Sequence, residues 1–248
     1  MKRVLVILIS IISIFLLTGC VQINNDYDIN FNGQTTDRNQ TTVITARPTK
    51  PKTTALTFEP GEKPQVEIKL SNGKSIKVEL YPDVAPISVR NFITLAESGF
   101  YDGLVFHRVI ANFMIQTGGY EYTGHGTANK KMVEKDAETI VGEFSLNGYT
   151  NDIKHVPGVI SMARATAYNS GSSQFFICVA DYPSLDGQYA AFGKTIDEDS
   201  LNNAIEISKK STTSVTLSTT SNGVTSNTKF ADFLVDPIYI VSVRRIDK

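Results

Sequence analysis

The chain has 248 residues, of which 41% are hydrophobic and 20% are charged, and its formal net charge is −1. These values fit one globular domain with additional segments, and they exclude the strong positive charge that bulk electrostatic binding of nucleic acid requires. The three histidines lie too far apart to indicate a metal site, and the sequence has no dinucleotide fingerprint, phosphate-binding loop or zinc spacing. We therefore expect no nucleic-acid partner, no metal and no cofactor.

The N-terminus has the pattern of an export signal. Two basic residues precede an apolar run from Val4 to Leu17, which is short for a membrane span and typical of a signal-peptide core. The run ends in Leu-Thr-Gly-Cys, closing at Cys20, and this resembles a bacterial lipobox, in which cleavage before the cysteine leaves it lipidated. An ordinary signal peptide that ends near a cysteine is the alternative. We predict a signal peptide over residues 1–19 and a lipid, such as palmitate, on Cys20.

Residues 20–60 are rich in Thr, Asn, Gln, Asp and Pro and carry few large apolar side chains. Such a segment cannot bury enough surface to order itself, so we predict a disordered tether at the membrane, facing outside the cytoplasm. With Cys20 lipidated, Cys178 has no partner for an internal disulfide. Because Cys178 lies in an apolar strand pattern, we interpret it as a core residue rather than a catalytic thiol.

Order is predicted to begin in the domain that covers residues 61–248. Two alternating runs between positions 66 and 80 flank Asn72-Gly73, which is a strong hairpin signal. A helix is predicted over residues 86–98, ended by Gly99.

The stretch from Phe106 to Gly119 predicts two short strands and a tight turn, with Arg108 and Gln116 as polar exceptions. A two-residue turn would place Arg108 opposite Ile115. A three-residue turn over positions 111–113 would place Arg108 opposite Gln116, on one sheet face. The second register would gather a guanidinium and an amide beside apolar walls, without an obvious nucleophile.

The second half begins with a loop-rich region over residues 120–157. A second helix is predicted at about 199–209, and the low-complexity segment at about 210–230 fits either an exposed loop or a hairpin extension. Further strands are predicted from Val159, Phe175 and Ala190, and a last one over residues 237–246. About eight short strands with two helices favour a closed or nearly closed antiparallel β-barrel.

Several motifs together resemble the cyclophilin signature. They occur in the family's order and cover most of residues 64–248: Phe106–Ile110, Phe113–Gln116 with Gly118, Ser161–Ala163, Gly171–Ile177, Leu185–Tyr189 and Phe192-Gly193. The resemblance implies a mainly β fold, a closed eight-stranded antiparallel β-barrel capped by two α-helices. It also implies peptidyl-prolyl cis-trans isomerase (rotamase) activity.

The resemblance also assigns roles to residues. Arg108 matches the family's catalytic arginine, and Gln116 matches the glutamine that orients the substrate backbone. The remaining substrate-binding matches are Phe113, Met114, Phe176 and Leu185 in the proline pocket, Ala163 and Arg164 at the groove edge, and Tyr189. Many relatives have Asn in place of Arg164 and His in place of Tyr189. Ser184 stands where animal relatives have Trp, which puts cyclosporin affinity in doubt more than catalysis.

The expected partners are proline-containing polypeptides, in particular unfolded secreted proteins, and we expect a monomer that assists their folding. A rival hypothesis is a surface-anchored binding module or chaperone that holds proline segments with little turnover. Two other chemistries have weaker support. His107 is interpreted as a core histidine rather than a base, and Gly171–Gln174 lacks the strand-to-helix context of a nucleophile elbow.

Overall fold

The computed structural model describes residues 56–123 and 130–247. The predicted signal peptide, Cys20 and most of the predicted tether lie outside this range, as does His125. The first half forms β1 Gln65–Leu70, β2 Ser75–Leu80, α1 Pro86–Glu97, β3 Arg108–Ile110, β4 Met114–Thr117, β5 Tyr120–Thr123 and β6 Lys131–Glu134. The second half forms β7 Val159–Met162, β8 Phe175–Cys178, β9 Ala191–Thr195, α2 Glu198–Ser208, β10 Thr212–Ser221, β11 Val224–Leu234 and β12 Ile240–Arg245.

Eight strands form one antiparallel sheet in the order β12-β1-β2-β9-β7-β8-β4-β3. The prediction of a closed barrel is wrong, because the sheet is an open half-barrel with β12 and β3 at its edges. The two edges come into contact only near the start of β12, where the Phe106 N–H donates to the Ile238 carbonyl and the Ile240 N–H donates to the Leu104 carbonyl, both acceptors lying before the edge strands. This contact does not extend into a ladder, since β3 and β12 lie at opposite ends of the strand order and do not pair with each other.

The two predicted helices are present, and both cover the apolar face of the sheet. Alternate residues of β1 and β2 are buried, as their sequence pattern predicted. Helix α1 packs Val89, Phe92 and Ile93 into the same core. Its first turn is capped by a residue distant in sequence: the Glu143 carboxylate accepts hydrogen bonds from the Ile87 and Ser88 N–H groups at 2.9 and 2.8 Å. This contact stabilises the helix start.

The low-complexity segment at about 210–230 forms a hairpin rather than an exposed loop, which were the two alternatives that its sequence allowed. Strands β10 and β11 turn at Asn222-Gly223, where both residues have positive φ. The hairpin belongs to a four-stranded sheet in the order β11-β10-β6-β5. A small second core lies beneath it, formed by Val105, Tyr122, Met132, Leu217, Phe230 and Phe233. Among the described helices, neither is long and apolar enough to cross a membrane.

Candidate active site

The β3–β4 hairpin has the register that a three-residue turn predicts. Arg108 lies opposite Gln116, and Ile110 lies opposite Met114. Asn112 in the turn has φ of 57°, a left-handed conformation that Asn tolerates better than most residues. The alternative register, with Arg108 opposite Ile115, is therefore wrong. Arg108 and Gln116 are half-buried on one face of the sheet.

A cavity of about 120 Å³ lies on this face. It is lined by the nine predicted catalytic and substrate-binding residues: Arg108, Phe113, Met114, Gln116, Ala163, Arg164, Phe176, Leu185 and Tyr189. They come from four segments of the chain, namely the β3–β4 hairpin, the two residues that follow β7, strand β8 and the loop before β9. The structure thus brings the predicted set together, while the role of each residue in catalysis stays a prediction.

One part of the cavity lining is apolar and belongs to a buried cluster. Met114 and Phe176 are buried, and Tyr189 contacts Phe176 edge-on with ring centroids 5.7 Å apart. Cys178 lies in the same apolar cluster, and its burial raises the pKa of the thiol to about 12. A thiol that stays protonated and inaccessible is a core residue, as the sequence indicated.

Arg108 lies beside the aromatic wall, with its guanidinium carbon 5.7 Å from the centroid of the Phe113 ring. Opposite Arg108, the Gln116 Nε2 donates a hydrogen bond to the Gln174 Oε1 at 2.9 Å. This contact fixes the orientation of the Gln116 amide. Gln174 lies in a motif that the sequence resemblance used, but no role was assigned to it.

Arg164, two residues after the end of β7, is held by both hydrogen bonds and aromatic rings. Its Nε donates to the Gln188 carbonyl at 3.0 Å, and its Nη1 donates to the carbonyls of Ala165 and Thr166 at 3.0 and 3.2 Å. The guanidinium carbon also lies within 5.3 Å of three ring centroids, those of Phe144, Tyr168 and Tyr189. The first two rings were not found by sequence reasoning, because they belong to loops without a recognisable pattern.

Tyr182 is a further residue that sequence reasoning missed. Its ring stacks on Phe113, with centroids 4.1 Å apart and an interplanar angle of 30°. Tyr182 directly precedes a short 3₁₀ turn, Pro183–Leu185, that carries both Ser184 and the cavity residue Leu185. The aromatic wall of the cavity is therefore two rings deep.

A polar network lies behind Phe176. The His155 Nδ1 is 3.1 Å from the Asp186 Oδ1, and the His155 Nε2 is 3.1 Å from the Ser161 Oγ. These distances resemble those of a catalytic triad, but Ser161 is fully buried and no substrate carbonyl could reach it. The network instead ties the loop that carries Leu185 to strand β7.

His107 is buried, and its ring contacts Tyr120 at a centroid distance of 4.9 Å. Burial lowers the pKa of His107 to about 4, so the ring is neutral near pH 7. These properties fit the core interpretation. Within residues 56–123 and 130–247, no group of three or more His, Cys, Asp or Glu side chains is placed to hold a metal ion.

Comparisons with known proteins agree with this geometry. The family model described as cyclophilin type peptidyl-prolyl cis-trans isomerase/CLD matches residues 65–228. The peptidyl-prolyl cis-trans isomerase ppi1 of Schizosaccharomyces pombe is 42% identical over 132 residues, which are 53% of this chain and 77% of that protein. A peptidyl-prolyl cis-trans isomerase of Synechococcus elongatus is 41% identical over 127 residues, covering 51% of this chain and 77% of its own.

A solved structure gives the same result. The cyclophilin type peptidyl-prolyl cis-trans isomerase of Cryptosporidium parvum superimposes with a TM-score of 0.55 and 26% identity, covering 75% of this chain and 99% of its own. Another structure of that protein was determined in the presence of the dipeptide Ala-Pro. The chain belongs to the cyclophilin-type peptidyl-prolyl cis-trans isomerase family. It is accordingly an isomerase.

Proposed function

We propose that this protein is a lipid-anchored isomerase that accelerates rotation about X–Pro bonds in exported polypeptides as they fold outside the cytoplasmic membrane. The observation that carries the catalytic part is the single cavity lined by all nine predicted residues, with an arginine beside an apolar pocket. The Ala-Pro dipeptide used with the similar Cryptosporidium parvum protein supports a proline-containing substrate.

The chemistry requires no bond cleavage. The barrier to rotation is about 18–20 kcal/mol, because the peptide C–N bond has partial double-bond character. In X–Pro amides both isomers are populated, and uncatalysed exchange takes tens to hundreds of seconds. As the bond twists, the lone pair localises on the prolyl nitrogen. A cation that contacts this nitrogen stabilises the twisted state more than the planar state, and such differential stabilisation lowers the barrier.

The cavity residues fit this chemistry in distinct roles. Arg108 supplies the electrostatic stabilisation, since its guanidinium stays charged and presents several fixed donors. Phe113, Met114, Phe176 and Leu185 hold the proline ring. Gln116, oriented by Gln174, hydrogen-bonds the substrate backbone and restrains one side of the rotating bond.

An isomerase assay on the mature chain separates this function from that of a binding module. Exchange spectroscopy of an X–Pro peptide by NMR measures both the exchange rate and binding. Catalysed exchange at substoichiometric protein supports the enzyme. Binding without faster exchange would favour a proline-segment chaperone with little turnover.

The location outside the cytoplasm is supported by the lipobox-like sequence that ends at Cys20. Metabolic labelling with an alkyne fatty acid tests it, because Cys20 should carry label in the membrane fraction and a Cys20→Ser variant should carry none. Recovery of unlabelled mature protein from the cytoplasm would contradict the proposed location. Delayed folding of exported proline-containing proteins in cells that lack this protein would support the proposed clients.

A further inference from the structure

The cavity contains two cations and no anion. Arg108 and Arg164 both line it, and none of the other seven lining residues is acidic. Neither arginine takes part in the ion pairs formed within residues 56–123 and 130–247. An isomerase needs one cation beside the prolyl nitrogen, so the proposed mechanism does not account for the second.

Arg164 is fixed before any substrate arrives. Three of its five N–H donors are used by the carbonyls of Ala165, Thr166 and Gln188. The three surrounding rings restrict its rotamers further, and the nearest ring, Tyr189, is itself a lining residue. Since little side-chain entropy remains to be lost, a ligand that pairs with this guanidinium does so at low cost.

The N–H donors of Arg164 that remain free indicate the chemical class of the ligand. Among the described contacts, the two N–H groups of the Arg164 Nη2 have no acceptor. A half-buried guanidinium with free donors binds a carboxylate by a charge-assisted hydrogen bond, which is stronger than a bond to a neutral amide. Strand β7 ends and strand β8 begins beside the cavity, and Arg164 lines the same cavity as the proline pocket, so a peptide seated there passes Arg164 close to its proline.

We propose that Arg164 is a specificity residue, which makes the enzyme prefer proline segments that carry Asp or Glu near the proline. This inference rests on the proposed isomerase function and names its substrate class. The preference is electrostatic, so it weakens at high ionic strength.

The test compares peptides that differ in one atom group. Two positions of an X–Pro peptide are varied one at a time, namely the residue before X and the residue after the proline. At each position, a peptide with Glu is compared with the same peptide carrying Gln. The exchange rate is measured by NMR, which avoids a coupling protease with its own charge preference. For the mature native chain, we expect kcat/KM to be about fivefold higher for Glu than for Gln at one or more positions, as a partly exposed ion pair gives. High salt should reduce this ratio.

Variants locate the effect. In Arg164→Gln the Glu/Gln ratio should fall toward one, whatever happens to turnover of the Gln peptide. Arg164→Lys retains a charge and should keep part of the preference, which separates loss of charge from loss of packing. Lys229→Gln is the matched control, because it removes the same charge from an exposed position on the β10–β11 hairpin. Its ratio should equal the native ratio.

Three outcomes would overturn the inference: a native ratio of one or less at every position, a ratio in Arg164→Gln equal to the native ratio, or an equal fall in Lys229→Gln. Absence of catalysis with all peptides would instead overturn the proposed function itself. The two failures are therefore distinguishable.

Discussion

Gln116 donates a hydrogen bond from its Nε2 to the Oε1 of Gln174, across 2.9 Å, on the sheet face that it shares with Arg108. This bond leaves the Gln116 carbonyl oxygen in a defined direction. We therefore regard Gln174 as a positioning residue that acts through Gln116.

Replacing Gln174 with Ala should lower kcat/KM about fivefold, because one neutral hydrogen bond contributes about 1 kcal/mol. The free energy of unfolding should change by no more than this amount. NMR exchange with an X–Pro peptide and urea unfolding measure the two quantities. Asn203→Ala is the matched control, since the Asn203 amide also makes one hydrogen bond, to the Ser75 carbonyl, away from the cavity. Equal losses of activity in both variants would indicate a structural role only.

Because His107 is buried, we expect the protein to lose stability in mild acid. Burial lowers the pKa of His107 from its ordinary 6.5 to about 4, so between these values the unfolded chain binds a proton that the native chain does not. Stability must then fall as pH falls through this window, by about 3 kcal/mol for this residue. Burial also lowers the pKa of His155, so this residue changes the stability in the same direction.

Urea unfolding of the native chain and of His107→Gln, between pH 6.5 and pH 4, measures this contribution by difference. The variant should show a shallower decline in the free energy of unfolding. Burial raises the pKa of Glu143, which opposes the trend within part of the window, but it does so equally in both proteins. Parallel pH profiles would show that His107 does not contribute.

Tyr182 should affect binding rather than turnover. Its ring stacks on Phe113, and aromatic pairs contribute about 0.5–1.5 kcal/mol beyond the area that they bury. Without this support the Phe113 wall loosens for substrate and transition state alike, so Tyr182→Ala should raise KM roughly threefold to tenfold and leave kcat near its native value. Tyr149→Ala, at an exposed tyrosine that does not line the cavity, is the control. An unchanged KM in Tyr182→Ala would remove this role.

Most of the site was predicted from motifs that resemble the cyclophilin signature, and local patterns contributed only the pairing of Arg108 with Gln116. Turn length and alternation allowed two registers, and the structure confirms the one in which Arg108 lies opposite Gln116, with Phe113 in a three-residue turn. Alternation also predicted the buried faces of β1 and β2. These features depend on the two-residue period of strands and on turn length, which a sequence displays directly.

The remainder depends on contacts between distant segments. Whether the edges β3 and β12 form a ladder depends on sheet curvature and on the short length of β3, which alternation does not reveal. The Gln116–Gln174 hydrogen bond joins residues 58 positions apart. Two of the three rings around Arg164, Phe144 and Tyr168, come from loops whose sequences carry no periodic signal.

The role of Arg108 is the central claim, and Arg108→Ala tests it most directly. The measurement is the NMR exchange rate of an X–Pro peptide with the mature chain, after circular dichroism has shown that the variant is folded. Loss of the cation beside the prolyl nitrogen should lower kcat/KM by roughly 100-fold or more. Arg108→Lys keeps the charge without the guanidinium fork, so its kcat/KM should lie between those of the native protein and Arg108→Ala. A folded Arg108→Ala variant with a near-native kcat/KM would contradict the account.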